Sequence, residues 1–315
     1  MKSSLRSRLV GGLWGIVVGD AFGLSFQFVS KSKMREMFKS PWDIKMMSGL
    51  WSDDSSLTLA TAHALTEGYD VERIAKNFVE WYYNGKFTPR GYAFDEGYTT
   101  SRAIERIAKG VEPLKAGGRG EWDNGNGSLM RILPAVYYAY FKLDSLEERL
   151  NLIHEVSMIT HAHPRALMGC GIYALTVWEI LEGLDKFEAY ERAIETAKEF
   201  YSKEPFKEEL KRYRRVLEGR IHEYHREEIR GSGYVVHTLE ASLWAFLRSE
   251  SYEEGVREVV FLGEDADTTG AVTGGLAGTY YGIKGIPREW LIKVENKELV
   301  GWIIEGFVNH ILSKR

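Results

Sequence analysis

Cysteine is nearly missing from this chain: Cys170 is the single one in 315 residues. No internal disulfide can form, which excludes a disulfide-stapled scaffold, and nothing points to an oxidising compartment. A charge excess is missing as well, since 41 Lys and Arg against 45 Asp and Glu leave a formal charge of −4. That balance carries no basic footprint for nucleic acid, although it leaves room for a substrate with a few phosphates. Long hydrophobic runs are also lacking. Residues 268–283 are uncharged and rich in glycine, but they fall short of the ~18 residues a membrane span requires. No transmembrane helix is expected. Residues 2–23 imitate a secretory leader, with Lys2, Arg6 and Arg8 ahead of an uncharged run from Leu9 to Gly19. That run holds four glycines, and Asp20 closes it with no A-x-A cleavage site behind. A buried first helix and a cytoplasmic protein are expected instead.

What is present is 44% hydrophobic, 27% charged and 13% aromatic. Such a chain has enough apolar residues for a large core, and collagen-like and disordered classes are excluded. The pattern is helical nearly throughout. Asp70 caps a run in which Ile74, Phe78 and Trp81 share one face, and Gly85 follows its end. Ser145 opens another, with the stripe Leu146, Leu150, Ile153 and Val156. Pro164 suits the first position of a run to about Gly183. Residues 185–204 and 207–228 read as charge-laced surface helices. Residues 234–248, 252–262, 269–282 and 287–312 also read as helix, and 110–120 as a long loop. No hairpin signal, linker or repeat is evident. One all-α domain of ten or more helices over residues 1–315 is expected, as a monomer.

Four segments carry chemistry. Asp53 and Asp54, flanked by Ser52 and Ser55, precede the helical run 56–65. Capping that helix needs only one side chain, so two adjacent acids suit two neighbouring cations better. Asp265 and Asp267, with Thr268, sit at the mouth of the Gly-rich run; two apart, they face one side of an extended segment. Helix capping or a solvated acidic loop would also account for them, but burial would force pairing or metal binding. These are hard oxygen donors with no thiolate nearby, which favours Mg²⁺ or Mn²⁺ over Zn²⁺. The third segment, Asn124-Gly125-Asn126-Gly127-Ser128, follows Asp123 and opens a helix at Leu129. It reads either as a simple turn or as an anion cradle. The fourth is Thr160-His161-Ala162-His163, where no cysteine pair supports zinc; His161 ends a helix or lines a pocket.

Seven segments in order resemble the ADP-ribosylglycohydrolases. They are Gly19-Asp20-Ala21-Phe22-Gly23, Ser52-Asp53-Asp54-Ser55, Phe94-Asp95-Glu96-Gly97, Gly125 to Arg131, Thr160-His161, Gly233 to Ala241, and Gly263 to Thr268. The resemblance implies an orthogonal multi-helix bundle around a central dinuclear site. By position it makes Ser52, Asp53, Asp54, Asp265, Asp267 and Thr268 the ligands of two divalent cations, Mg²⁺ or Mn²⁺. It implies cleavage of the C1″ ribosyl bond between ADP-ribose and an acceptor, most commonly arginine. The substrate would be an ADP-ribosylated protein or a small ADP-ribosyl conjugate. Asp54 and Asp267 would serve catalysis through the metals and Asp95 as the proton donor or acceptor. Asp20, the Asn124–Ser128 loop and His161 would bind substrate. One departure stands out: Gln27 occupies a position where many members place Glu, and an amide cannot ionise. A non-catalytic ADP-ribose-binding protein, or another metal-assisted nucleotide or phosphoester hydrolase, is the alternative.

Overall fold

In a computed structural model of the protein, residues 4–313 are described. Lys2 of the leader-like segment lies outside them. At the centre, helix α1 (Leu5–Leu24) crosses a helix near the other end of the chain, Ala266–Tyr281. Their glycines explain the crossing. Gly11, Gly15, Gly19 and Gly23 recur every four residues and so form one ridge. They meet Gly278, Gly274, Gly270 and Ala266 in antiparallel order, and a Cβ added at Gly15 would fall 2.2 Å from the Gly274 carbonyl oxygen. At Gly19 it would fall 2.1 Å from the Gly270 oxygen, and at Gly23 2.2 Å from the Ala266 oxygen. Small residues, glycine at seven of these eight positions, let the two backbones touch over about three turns. The leader-like segment is thus the buried helix the sequence suggested. Among the described residues no helix is long and apolar enough to cross a membrane.

The other helices wrap this pair. They are α2 (Lys31–Met37), α3 (Asp53–Leu65), α4 (Val71–Asn84), α5 (Tyr98–Ala108), α6 (Pro113–Ala116), α7 (Leu133–Lys142), α8 (Leu146–Met158) and α9 (Pro164–Leu181). After them come α10 (Lys186–Phe200), α11 (Arg214–Leu217), α12 (Val235–Arg248), α13 (Tyr252–Val260), the central α14 (Ala266–Tyr281), α15 (Arg288–Lys293) and α16 (Lys297–Leu312). Among the described residues there are two isolated bridges and no sheet. The expected signals hold at α4, where Asp70 accepts from the amides of Glu72 and Arg73 and Gly85 takes the left-handed conformation. They hold at α8, where Ser145 and Glu148 cap reciprocally, and at α9, which Pro164 opens.

Four expectations need correction. Residues 207–228 are not one helix. They break into 3₁₀ turns at Lys207–Tyr213, Ile221–Glu223 and Arg226–Glu228, with α11 after the first, and Gly219, at φ 80°, turns the chain where α11 ends. Residues 287–312 split into α15 and α16 around Asn296, which sits at φ 47°. Leu129–Arg131 is a single 3₁₀ turn, and the helix proper starts at Leu133 beside Pro134. The 110–120 loop contains the short α6.

The glycine seam makes a stability prediction. Gly15→Ala should cost about 3 kcal/mol through overpacking against the Gly274 carbonyl, read as a lower denaturation midpoint. Gly306→Ala, on an exposed face of α16 with nothing within 4 Å of its added Cβ, should gain about 0.5–1 kcal/mol from helix propensity. Equal effects at both positions would contradict the seam.

Candidate active site

The seam brings Asp20, near the end of α1, beside the first turn of α14. Helix α3 arrives at the same point, because Asp20 caps it from another part of the chain. The Asp20 carboxylate accepts the Ser52 amide at 2.9 Å, the Ser55 amide at 3.1 Å, the Ser52 hydroxyl at 2.8 Å and the Ser55 hydroxyl. Two amides at the α3 N-terminus are thereby satisfied. Ser52, at the N-cap position, makes no capping bond of its own, and neither does Asp265 at the start of α14. The acids of both clusters are therefore free of the capping duty that would have explained them.

These acids converge. Asp20, Asp54 and Asp267 place carboxylate oxygens within 4.8 Å of one another, and each is at most 1% exposed. Thr268 donates its hydroxyl to Asp54 Oδ2 at 3.2 Å, and the Ser52 hydroxyl oxygen lies 3.1 Å from the same atom. Asp54 Oδ1 and both oxygens of Asp267 are buried with no hydrogen-bond partner. Asp53 and Asp265 face the adjoining cavity, as does Asp95. Asp53 and Asp54 belong to the first turn of α3 rather than preceding it, so their side chains diverge by about 100°. The extended geometry expected for Asp265 and Asp267 is also corrected: Asp265 is the N-cap and Asp267 is helical. Their carboxyls still converge, since the charges of Asp265 and Asp95 both bear on Asp267. Carboxylates crowded in one buried place call for a proton or a cation among them.

Electrostatics point the same way. Burial, and then the charges of neighbouring carboxylates, hold Asp53, Asp54 and Asp267 well above the usual carboxylate range. Asp20 is pushed up to about 7 by burial, against the pull of its serine donors. Burial raises Asp95 and Asp265 too, opposed by the amides of Gln27 and Asn126. Unpartnered oxygens, hydroxyls and like charges in one buried place fit a hard divalent cation at Asp54 and Asp267, with Asp20, Ser52 and Thr268 beside them.

The cavity over the cluster has a volume of about 620 Å³, a usual size for a small-molecule site. Gly125, Asn126, Gly127 and His161 line it opposite the acids. Asn126 donates to Asp265 Oδ2 at 2.6 Å, and its backbone amide is spent on the Gly233 carbonyl. Three expected substrate contacts lie elsewhere. Asp20 is sealed under α3. Ser128 is buried against Ser157 and Cys170, and Asn124 faces a neighbouring cleft with Arg165 and Tyr234. On the near rim, the Gln27 amide donates to Asp95 Oδ2 at 2.7 Å. Phe28, Asp95 and Glu264 all sit at φ near +60°, a strained conformation for these residues that marks functional sites. Phe28 and Glu264 are clasped by backbone bonds, the Phe28 amide to the Glu264 carbonyl and the Glu264 amide to the Val29 carbonyl, both 2.6 Å. Sequence reasoning missed the exposed rim aromatics Tyr98 and Trp122, because an aromatic in a loop looks the same in sequence whether it is buried or not.

Comparison with known proteins agrees with this geometry. The family model described as ADP-ribosylglycohydrolase matches residues 1–314. The chain belongs to the ADP-ribosylglycohydrolase family. It is 31% identical to ADP-ribosylarginine hydrolase Tri1 of Pseudomonas putida (strain GB-1), over 91% of this chain and 74% of that protein. It is 28% identical to the ADP-ribosyl-[dinitrogen reductase] glycohydrolase of Rhodospirillum rubrum, over 93% of this chain and 92% of that one. A solved structure described as an ADP-ribosylglycohydrolase-related protein complex matches with a TM-score of 0.77 at 32% identity, covering 98% of this chain and 99% of that one.

For this ADP-ribosylglycohydrolase, a thermal-shift titration with Mg²⁺ tests the acidic centre. Cation at a hundredfold excess over Kd should stabilise metal-stripped protein by about 2.7 kcal/mol. Asp267→Asn removes one crowded charge, so the stripped variant should melt above stripped wild type while its gain from cation shrinks. A lower-melting variant with an undiminished cation gain would contradict the assignment.

Proposed function

We propose that the protein is a metal-dependent hydrolase that cleaves the C1″ ribosyl bond joining ADP-ribose to an acceptor, with ADP-ribosyl-arginine the first acceptor to try. The observation that carries this reading is the buried acidic centre, with its unpartnered oxygens, at the floor of a cavity of ligand size. The relatives named for arginine and dinitrogen reductase support the choice of acceptor. Ser52, Asp53, Asp54, Asp265, Asp267 and Thr268 would hold two cations, with Mg²⁺ or Mn²⁺ suited to this all-oxygen set. When bound, such cations orient ribose hydroxyls and activate water.

In the cleavage, water adds to C1″, the bond from C1″ to the acceptor nitrogen breaks, and that nitrogen takes up a proton. The products are ADP-ribose and free arginine side chain. Cleavage at an anomeric carbon passes through an oxocarbenium-like state, which a nearby carboxylate stabilises. Asp95 is the group to move the proton. Gln27 occupies its Oδ2, which leaves Oδ1 facing the cavity. The amide thus fixes the orientation of Asp95 without competing for the proton. Gly125 lets a diphosphate approach the loop closely, and His161 meets the ribose side. A cytoplasmic, monomeric enzyme completes the reading, in keeping with a single buried thiol, Cys170.

Incubation with an ADP-ribosyl-arginine peptide, in Mg²⁺, in Mn²⁺ and in chelator, tests the proposal through release of free ADP-ribose. Metal-dependent release is expected. Binding of ADP-ribose without release would instead favour a non-catalytic binding protein, and phosphate release would favour a phosphoester hydrolase. Asp95→Asn should lower kcat about 10²- to 10⁴-fold while ADP-ribose affinity stays within a few-fold. An unchanged kcat would remove Asp95 from the proton step.

A further inference from the structure

Arg131 is the outlier among the buried charges. Its side chain is fully buried, yet no carboxylate is placed against it among the described residues. Its guanidinium lies over the Phe78 ring, 4.6 Å from the centroid. Nη1 and Nη2 donate to the Val156 carbonyl at 3.2 Å, and Nη2 also donates to Thr160 Oγ1 at 2.7 Å. Burying a cation without a counter-ion is costly. A neutral side chain would fill the volume at less cost, so the positive donor invites a specific explanation.

That explanation runs through Thr160. A guanidinium has only donors, so it occupies a lone pair of Thr160 Oγ1, and the hydroxyl proton must point elsewhere. The other partner of that oxygen is His161 Nδ1, at 2.8 Å. Donation from Thr160 to Nδ1 gives its buried proton the one acceptor placed against it among the described residues, and in that arrangement the ring proton sits on Nε2. The backbone holds the ring in place: the His161 amide donates to the Ser157 carbonyl at 2.8 Å, and the Ser157 hydroxyl donates to the His161 carbonyl at 2.9 Å. The ring lines the cavity and packs against Gly127, where an added Cβ would fall 2.6 Å from Cε1 and 3.2 Å from Nε2. Burial, and then the Arg131 charge, bring the imidazole down to about 3, so it stays neutral where an ordinary histidine titrates.

We propose that Arg131 is a positioning residue: acting through the Thr160 hydroxyl, it locks His161 as a neutral Nε2–H donor aimed at an oxygen of the ligand in the cavity. The ligand's identity rests on the function proposed above, but the lock does not. It makes the cavity selective for an acceptor oxygen at that point, a ribose hydroxyl or a phosphate oxygen. Thr160 and Arg131 come from different segments, so the device ties the turn after Ser128 to the end of α8.

The direct test is ¹⁵N NMR of histidine-labelled protein, with the His161 signals assigned by their loss in His161→Asn. Folded wild type should show the Nε2–H tautomer alone and no titration between pH 5 and 8. Thr160→Val and Arg131→Met should each give a tautomer mixture, and Thr160→Ser should restore the single form. ADP-ribose affinity, measured by calorimetry, should fall about tenfold in Thr160→Val, the loss of one well-placed hydrogen bond, and recover in Thr160→Ser. An Nδ1–H ring or a mixture in wild type overturns the proposal, and that result needs no variant to fold. So does a pure Nε2–H ring in Arg131→Met. If wild type binds no ADP-ribose while the tautomer pattern holds, the ligand assignment fails and the lock stands.

Discussion

Contact between two backbones sets the position of everything else in this protein. Helices α1 and α14 come from opposite ends of the chain, and their glycine ridges remove the side chains that would keep them apart. Each loses conformational stability by carrying glycine. The return is proximity: Asp20 on one helix and Asp267 on the other end up within 4.8 Å. Interiors do not stretch to absorb a misplaced helix, so a methyl group inserted in the seam would move the acids as well as the helices.

Placing acids together creates a debt that the fold must meet. Asp20 is satisfied by spending its carboxylate on the N-terminus of α3, four donors in all. That arrangement frees Asp53 and Asp54 from capping and fixes the helix that carries them. Asp54 and Asp267 are left with oxygens that no protein group partners. Elsewhere around the cavity stands the opposite kind of group, a guanidinium buried behind His161 whose charge bears on that ring. In the proposed reading the acids would face cations and His161 an oxygen of the ligand.

Much of this was legible in the sequence, and the exceptions have physical causes. Helices with a local cap and a clear stripe stand where they were read, as Asp70, Ser145 and Pro164 show. Residues 207–228 misled because a charged, helix-prone composition does not reveal that Gly219 adopts positive φ. The acidic motifs were legible because two clusters at distant positions shared one unusual chemistry. The part Asp20 plays was not, because the N-cap residue of the helix it caps lies 32 residues later and capping is normally read locally. Ser128 looked like part of an anion cradle, yet its hydroxyl turns inward to Ser157; a glycine-rich loop shows that backbone can approach a ligand and not which side chains face it. Arg131 lies inside a recognised segment, but only the folded structure shows that it bonds to Thr160, with no carboxylate against it among the described residues.

The central claim is that the acids gathered by the glycine seam form a cation centre. Anomalous diffraction from crystals grown with Mn²⁺ tests it most directly, because it locates the ion without any assumption about substrate or activity. The account predicts Mn²⁺ peaks bounded by Asp54 and Asp267, on the cavity side of Ser52 and Thr268. Crystals saturated with Mn²⁺ that show no peak there, with Asp54 and Asp267 still buried and unpartnered, would contradict it.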